Sequence, residues 1–164
     1  MQIILSPLQI DQKTTRIAYE IKEFAFENKS IFLGGICGNG LILAKKIGTL
    51  LHDFFNIETV VFEIYINKDL PLSEEILLSI EGKSFENETV VLLDDVINSG
   101  KTMQYALMKL LEFNPRAIKT VALVERSYRR YPIHCDFVGL SLSTTLKNHV
   151  EIKCEKEEFT AYLV

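Results

Sequence analysis

The fold of this chain is decided by residues 89–103, which read Thr-Val-Val-Leu-Leu-Asp-Asp-Val-Ile-Asn-Ser-Gly-Lys-Thr-Met. The apolar run at 90–93 has no polar position, which is typical of a strand buried on both faces of a sheet. Two adjacent acids, Asp94 and Asp95, end this run, and a short turn leads into a helix-compatible segment. Because open α/β sheets bind ligands at the carboxyl ends of their strands, we expect a ligand site here.

The turn after the acids has the properties of an anion cradle. The first N–H groups of a helix have no intrahelical acceptor and the helix dipole is positive there, so a phosphate is stabilised. Gly100 lets the backbone approach the anion closely. Ser99 and Thr102 can donate hydroxyl hydrogen bonds. The pattern therefore suits a sugar phosphate.

Three other interpretations use the same residues. Gly100-Lys101-Thr102 matches the end of a Walker A loop, but that loop needs a glycine where Asp95 stands. An acidic pair after an apolar strand also occurs in receiver-domain metal sites, where it lies near the start of the chain. Finally, such residues serve as ordinary strand ends and helix caps. This last alternative stays open on the sequence alone.

The stretch resembles the phosphoribosyl-pyrophosphate signature of type I phosphoribosyltransferases, which is two acids followed by a hydroxyl-Gly-x-hydroxyl turn. The resemblance implies an α/β fold with a mostly parallel central sheet flanked by helices and a small hood from the terminal segments. It makes Asp94, Asp95 and Asn98 the catalytic positions, with the two acids holding the ribose hydroxyl groups. The implied residues of the 5′-phosphate loop are Val96, Ile97, Ser99, Gly100, Lys101 and Thr102.

A second glycine-rich segment, Gly-Gly-Ile-Cys-Gly-Asn-Gly at 34–40, follows a predicted strand at 31–36. It precedes a predicted helix at 41–54, which repeats the phosphate-binding geometry. In the family this segment is the pyrophosphate loop, and it often carries a Lys or Arg. Here the loop residues are Cys37, Gly38, Asn39 and Gly40, so backbone donors remain but a charge-assisted contact is missing. A plain glycine-rich turn is the alternative.

Residues 121–139 indicate the branch of the family. They resemble both the hypoxanthine-guanine phosphoribosyltransferases and the bifunctional pyrimidine-operon attenuator and uracil phosphoribosyltransferases. Glu125 stands where the purine enzymes use a lysine to contact the 6-oxo group, and an ionised carboxylate cannot donate to that oxygen. Asn98 stands where they carry an aspartate, and an amide is a poor general base. We therefore expect a uracil-like base first.

The base pocket is expected within residues 137–144. Its candidate contacts are Glu125, Phe137 and Val138. A non-catalytic regulator that senses a nucleotide or phosphoribosyl pyrophosphate is the alternative function, with RNA as a possible partner. The basic residues available for such a partner are Arg126, Arg129, Arg130, Lys147 and Lys153. The net charge of −4 disfavours nucleic acid as the default partner.

Composition completes these expectations. The 164 residues are 48% hydrophobic, enough for one full core, so we expect a single domain over residues 1–164. Three widely spaced cysteines predict a reducing, cytoplasmic setting without zinc, and neither a signal peptide nor a membrane span is expected. The resemblance implies phosphoribosyl pyrophosphate and a nucleobase as partners, a homodimer, and Mg²⁺ held through the substrate pyrophosphate rather than by a protein metal cluster.

Hydrophobic patterning predicts the remaining elements. Asp11 would cap a helix to about residue 27, and 59–66 would be a strand. Residues 67–84 would be a loop that covers the site, although 76–80 could also form a strand or a helical turn. A helix at 101–113 and strands at 118–124 and 136–140 follow. The alternating tail at 150–164 suits an edge strand or a small antiparallel piece.

Overall fold

The computed structural model describes residues 1–80, 82–143 and 148–164. In chain order the elements are β1 (Gln2–Leu5), α1 (Pro7–Phe24), β2 (Ser30–Ile36), α2 (Asn39–Phe55), β3 (Glu58–Tyr65), β4 (Leu77–Leu78), β5 (Thr89–Ile97), α3 (Lys101–Leu111), β6 (Ala117–Arg126), β7 (Phe137–Leu142), β8 (Val150–Glu155) and β9 (Glu158–Leu163). Six of the strands form a central sheet in the order β4-β3-β2-β5-β6-β7. All its neighbouring pairs are parallel except β3 with β4. The predicted α/β fold with a mostly parallel sheet is confirmed.

Helices cover both faces of this sheet. Buried side chains of α1 and α2, such as Ile17 and Ile47, share one hydrophobic core with Leu33 of β2. On the opposite face, Met103 of α3 belongs to a second core together with Phe85. Strands enclosed on both faces must be apolar throughout, which explains the unbroken hydrophobic runs in β2 and β5.

The connections leave β2 and β5 in opposite directions. After β2 the chain runs through α2 to β3 on one side, and after β5 it runs through α3 to β6 on the other. Since β2 and β5 are neighbours, a crevice opens between the two departing segments at their carboxyl ends. Both glycine-rich turns predicted to bind phosphate groups lie at this crevice.

The two ends of the chain form a small antiparallel sheet in the order β1-β9-β8. Leu5, Ile152 and Phe159 bury their side chains in the same core as α1. The antiparallel arrangement of the tail and the hood from terminal segments, both expected from the sequence, are confirmed. Strand β1 was not predicted, because four residues at a chain end carry too little periodicity to be recognised.

Several predicted boundaries are wrong. Helix α1 begins at Pro7, not after Asp11, because Ser6 and Gln9 form a capping box. Strand β5 continues to Ile97, so Asp94 and Asp95 lie inside the strand rather than beyond its end. The additional residues of β5 pair in parallel with β6, up to the pair of Ile97 with Glu125. The undecided segment at 76–80 contains the short strand β4.

A close approach between β2 and α2 positions the second glycine-rich turn. A Cβ atom added to Gly35 would lie 2.5 Å from the carbonyl oxygen of Gly40 and 2.5 Å from Cα of Leu41. These are backbone atoms, so they cannot move aside without shifting the start of α2.

We expect Gly35→Ala to lower the free energy of unfolding by about 1–3 kcal/mol, because the added methyl group overpacks the β2–α2 contact. Chemical denaturation would measure this effect. Gly82→Ala is the control, since a Cβ there meets no atom within 4 Å. Its positive φ of 64° should cost only about 1 kcal/mol. Equal losses in the two variants would contradict a steric role for Gly35.

Candidate active site

A cavity of about 410 Å³ lies at the carboxyl end of β5. It brings together the predicted catalytic positions Asp94, Asp95 and Asn98 and all six predicted residues of the phosphate loop. The other lining residues are Lys68, Asp69, Met103, Val150, Glu151 and Ile152. The hood and the segment after β3 therefore complete a site that the sequence located only on β5 and its turn.

The two acids are held by internal partners. Oδ1 of Asp94 lies 3.4 Å from Nζ of Lys68, and the residue is only 4% exposed. Oδ2 of Asp95 accepts a hydrogen bond of 2.7 Å from Nδ2 of Asn39. Each carboxylate also accepts a backbone N–H, from Asp95 at 3.0 Å and from Val96 at 2.9 Å respectively. The pair is thus fixed in orientation, and both residues line the cavity.

Burial and, after it, the adjacent Asp95 carboxylate together raise the pKa of Asp94 to about 7, although the nearby cation of Lys68 partly opposes them. Burial lowers the pKa of Lys68, but the neighbouring carboxylates of Asp94 and Asp95 outweigh it, so the net shift is upward. Lys68 therefore stays a cation, and Asp94 changes its protonation state near neutral pH.

Asn39 links the pyrophosphate loop to the hood. Its Nδ2 donates both to Asp95 and, over 3.0 Å, to the carbonyl oxygen of Ile152 in β8. Gly40 allows the start of α2 to lie close to β5, because a Cβ there would lie 2.8 Å from the carbonyl oxygen of Leu93. Cys37 instead faces the segment after β3, with Sγ donating to the carbonyl oxygen of Ile66 over 3.5 Å. Within this loop, the side chain of Asn39 donates a hydrogen bond to the acid pair.

The phosphate turn is held from behind by the segment after β6. Gly100 has a φ of +84°, and a Cβ there would lie 2.7 Å from Cγ2 of Ile133, so both backbone and packing require glycine. The carbonyl oxygen of Ser99 accepts hydrogen bonds from the N–H groups of Arg130 at 3.0 Å and Tyr131 at 3.1 Å. These bonds hold the turn that leads into α3, and the N–H of Lys101 at the start of that helix donates to Oγ of Ser99 over 3.3 Å.

Lys68 is the main residue that the sequence analysis missed. It lies in the predicted covering loop, just after β3, and its ammonium group reaches the acid pair on β5. Lys101 donates from α3 to the carbonyl oxygen of Asp69 over 2.9 Å and ties the same loop to the phosphate turn. A lysine at the carboxyl end of the strand beside β2 was a usable signal, because neighbouring parallel strands end at one edge of the sheet.

Three predicted base contacts do not line this cavity. Oε1 of Glu125 lies 2.6 Å from Nη2 of Arg129 and accepts from the N–H of Cys135 at 2.9 Å. Phe137 packs against the core beneath α1, and the carbonyl oxygen of Val138 accepts from Arg16 on α1. The carboxylate of Glu125 thus stabilises the turn between β6 and β7. Roles for these residues in base binding stay predictions, and residue 144 of the expected pocket lies outside the described part of the chain.

Two of the five predicted basic residues are engaged in contacts inside the protein. Arg126 is 4% exposed and donates to Asn98 over 2.9 Å. Arg129 pairs with Glu125 and donates to the carbonyl oxygen of Ile133 over 2.7 Å. Lys147 lies outside the described residues. These internal contacts leave fewer charges for an RNA phosphate backbone than the sequence suggested.

The described residues contain neither a ready-made metal cluster nor a membrane-spanning helix. Among them, no group of three or more His, Cys, Asp or Glu side chains is placed to hold a metal ion. None of the helices in this part of the chain is long and apolar enough to cross a membrane.

We expect Asp94→Asn to stabilise the protein above pH 7 and to have little effect near pH 4. The Asp94 carboxyl binds its proton more tightly in the folded state, with a pKa of about 7, than in an unfolded chain, at 3.8. The folded state then holds more protons between these two values, so wild-type stability falls as the pH rises through this window, by ~1.4 kcal/mol for each pH unit. Melting temperatures from pH 4 to 8 would test this. Asp53→Asn, on the exposed side of α2, is the control, and a pH-independent difference for Asp94→Asn would contradict the prediction.

Comparison with known proteins agrees with this geometry. A family model described as phosphoribosyl transferase domain matches residues 3–157. The bifunctional protein PyrR of Staphylococcus saprophyticus is 29% identical over 162 residues, covering 94% of this chain and 93% of that protein. The PyrR of Streptomyces coelicolor is 33% identical over 162 residues, covering 94% and 84%.

Solved structures show the same fold at low sequence identity. The hypoxanthine phosphoribosyltransferase of Trypanosoma cruzi superimposes with a TM-score of 0.80 at 17% identity, covering 98% of this chain and 95% of that one. A hypoxanthine-guanine phosphoribosyltransferase from Bacillus anthracis gives 0.76 at 17% identity, covering 100% and 97%. With a family match over almost the whole length and the acid pair and phosphate turn in one cavity, the chain belongs to the type I phosphoribosyltransferase family.

Proposed function

We propose that this phosphoribosyltransferase transfers ribose 5-phosphate from phosphoribosyl pyrophosphate to a uracil-like base. The observation that carries the proposal is the single cavity in which the acids Asp94 and Asp95, the phosphate turn and the cation of Lys68 meet. These are the groups that a doubly phosphorylated sugar requires: acceptors for its hydroxyl groups, backbone donors for one phosphate and positive charge for the other.

The substrate has one orientation that satisfies all three. Its 5′-phosphate would occupy the turn at 98–102, and its ribose hydroxyl groups would donate to Asp94 and Asp95. The pyrophosphate would then extend toward Lys68 and the loop at 37–40. The loop at 37–40 has no Lys or Arg, and in this arrangement Lys68 from the segment after β3 supplies the positive charge.

Mg²⁺ is the metal that this family generally uses with phosphoribosyl pyrophosphate, and the donor set fits it. Mg²⁺ prefers oxygen ligands and binds through one or two carboxylates together with substrate phosphates. Asp94 and Asp95 supply carboxylate oxygens at the cavity, and the described residues contain no larger cluster. When bound, the ion would neutralise charge on the departing pyrophosphate.

The protein's own contribution is positioning and electrostatic stabilisation. Lys68 would stabilise the negative charge that collects on pyrophosphate as the bond to the anomeric carbon breaks. Asn39 would keep Asp95 oriented while the ribose flattens. The loop after β3, tied to α3 through Lys101 and Asp69, would exclude water from the cationic ribose. A nitrogen of the base would attack from the face opposite the pyrophosphate.

A uracil-like base is supported by the two departures from the purine pattern. Asn98 offers an amide where a proton acceptor would be needed, and Glu125 is engaged by Arg129 instead of offering a donor. The second candidate is a non-catalytic regulator that senses phosphoribosyl pyrophosphate or a nucleotide, favoured by relatives whose names call them bifunctional. A cytoplasmic homodimer is part of the proposal for either function.

Removing both charges of the acid pair should weaken substrate binding. We expect Asp94→Asn combined with Asp95→Asn to weaken the binding of phosphoribosyl pyrophosphate with Mg²⁺ by a few kcal/mol, since hydrogen bonds to charged groups contribute ~1.5–3 kcal/mol each. Calorimetric titration would measure it, with inorganic phosphate as a ligand that occupies only the turn. An unchanged affinity in the folded double variant would rule out the sugar site.

Turnover should depend on Lys68. A panel of bases would be assayed for pyrophosphate release with phosphoribosyl pyrophosphate and Mg²⁺. We expect release with uracil and little turnover with hypoxanthine or guanine. In Lys68→Met we expect kcat to fall by roughly 10²-fold, as it does when other groups that stabilise transition-state charge are removed. Lys83→Met is the control, because Lys83 is exposed and does not line the cavity. Binding without pyrophosphate release for any base would replace the catalytic function with the sensing one.

A further inference from the structure

A buried arginine fixes one side chain of the cavity. Arg126 is 4% exposed, and its Nη1 donates to Oδ1 of Asn98 over 2.9 Å. The two residues are 28 positions apart but follow the paired residues Ile97 and Glu125 at the ends of the neighbouring strands β5 and β6. The contact is therefore set by the register of the sheet.

The chemistry of this contact determines which atom of Asn98 is used. A guanidinium has five N–H donors and no acceptor, so only the carbonyl oxygen of the Asn98 carboxamide can be its partner. Exchanging the oxygen and nitrogen of the amide would place two donors against each other. The nitrogen Nδ2 is consequently left on the other branch of the carboxamide, and Asn98 is exposed where it lines the cavity.

Asn98 lies next to the sugar and phosphate positions. It follows the acid pair on β5 and directly precedes the phosphate turn, so a group attached to the bound ribose would lie within its reach. An asparagine without Arg126 could present either its oxygen or its nitrogen to that group. With Arg126 in place it presents a hydrogen-bond donor only.

We propose that Arg126 is a positioning residue that holds Asn98 as a hydrogen-bond donor to the nucleobase. The inference rests on the proposed function and specifies the base chemistry: the site selects a base that presents a carbonyl oxygen or an unprotonated ring nitrogen to residue 98. A base that must transfer a proton to residue 98 is selected against, because the amide of Asn98 is a poor proton acceptor.

The test separates the contribution of the base from that of the sugar phosphate. Calorimetry would compare the Kd for ribose 5-phosphate with that for the tightest binder among uridine, inosine and guanosine 5′-monophosphates. The Kd for ribose 5-phosphate divided by the Kd for the nucleotide is the ratio that measures the contribution of the base alone. Wild-type protein that fails to bind ribose 5-phosphate would remove the proposed function, whereas every result below concerns Asn98 and Arg126 only.

Three variants distinguish the outcomes. Asn98→Asp replaces the donor with an acceptor of the same shape and should lower the ratio by about tenfold or more, with the Kd for ribose 5-phosphate unchanged. Arg126→Lys keeps a partner that only donates and should preserve the ratio. Arg126→Gln can donate or accept, so it frees the amide to rotate and should lower the ratio by about two- to tenfold. A ratio that Asn98→Asp leaves unchanged or raises would overturn the inference, as would equal effects of the Lys and Gln variants.

A spectroscopic signal provides a test that does not depend on the folding of the Arg126 variants. The side-chain amide resonances of Asn98 can be identified in a ¹⁵N–¹H spectrum by their loss in Asn98→Asp. On saturation with the same nucleotide, one of the two proton resonances should move downfield, while ribose 5-phosphate alone should leave it in place. Identical spectra with the two ligands would show that the amide does not donate to the base.

Discussion

Two carboxylates at the carboxyl end of a buried strand are the constraint on which this site depends. Asp94 and Asp95 are adjacent in sequence, and the strand that carries them is enclosed on both faces. Burying like charges is unfavourable unless donors and cations surround them. Lys68 from the segment after β3 and Asn39 from the start of α2 meet this requirement. The acid pair therefore draws together segments that are distant in the sequence.

The same requirement explains how the segments around the acid pair are organised. Asn39 contacts both Asp95 and the backbone of the hood, so the loop at 37–40, Asp95 and β8 are held in one arrangement. Oriented groups that need not move during a reaction stabilise developing charge better than mobile ones. A buried acid with a raised pKa is costly to the fold, and its retention at the ligand site is expected where function rather than stability determines the residue.

In the proposed site, the positive charge for pyrophosphate comes from the segment after β3 rather than from the loop at 37–40. The segment at 37–40 carries no cation, yet the ammonium group of Lys68, just after β3, reaches Asp94 on β5. Arg126 likewise reaches the site from another strand, since it holds Asn98, whereas Arg129 pairs with Glu125 in the turn between β6 and β7. The proposed base preference and the proposed pyrophosphate contact thus both depend on residues outside the two glycine-rich turns.

The sequence by itself determined the sheet, the acid pair and the phosphate turn. An unbroken apolar run, two acids and a glycine-containing helix start are local patterns, and each follows from the bonding of a few consecutive residues. The extension of β5 through the acids, the approach of Lys68 and the contact of Arg126 with Asn98 were decided only by the tertiary structure. These features arise from strand register and from crossover connections, which join residues 26 and 28 positions apart. Local composition carries no record of such pairings, because they depend on which strands become neighbours.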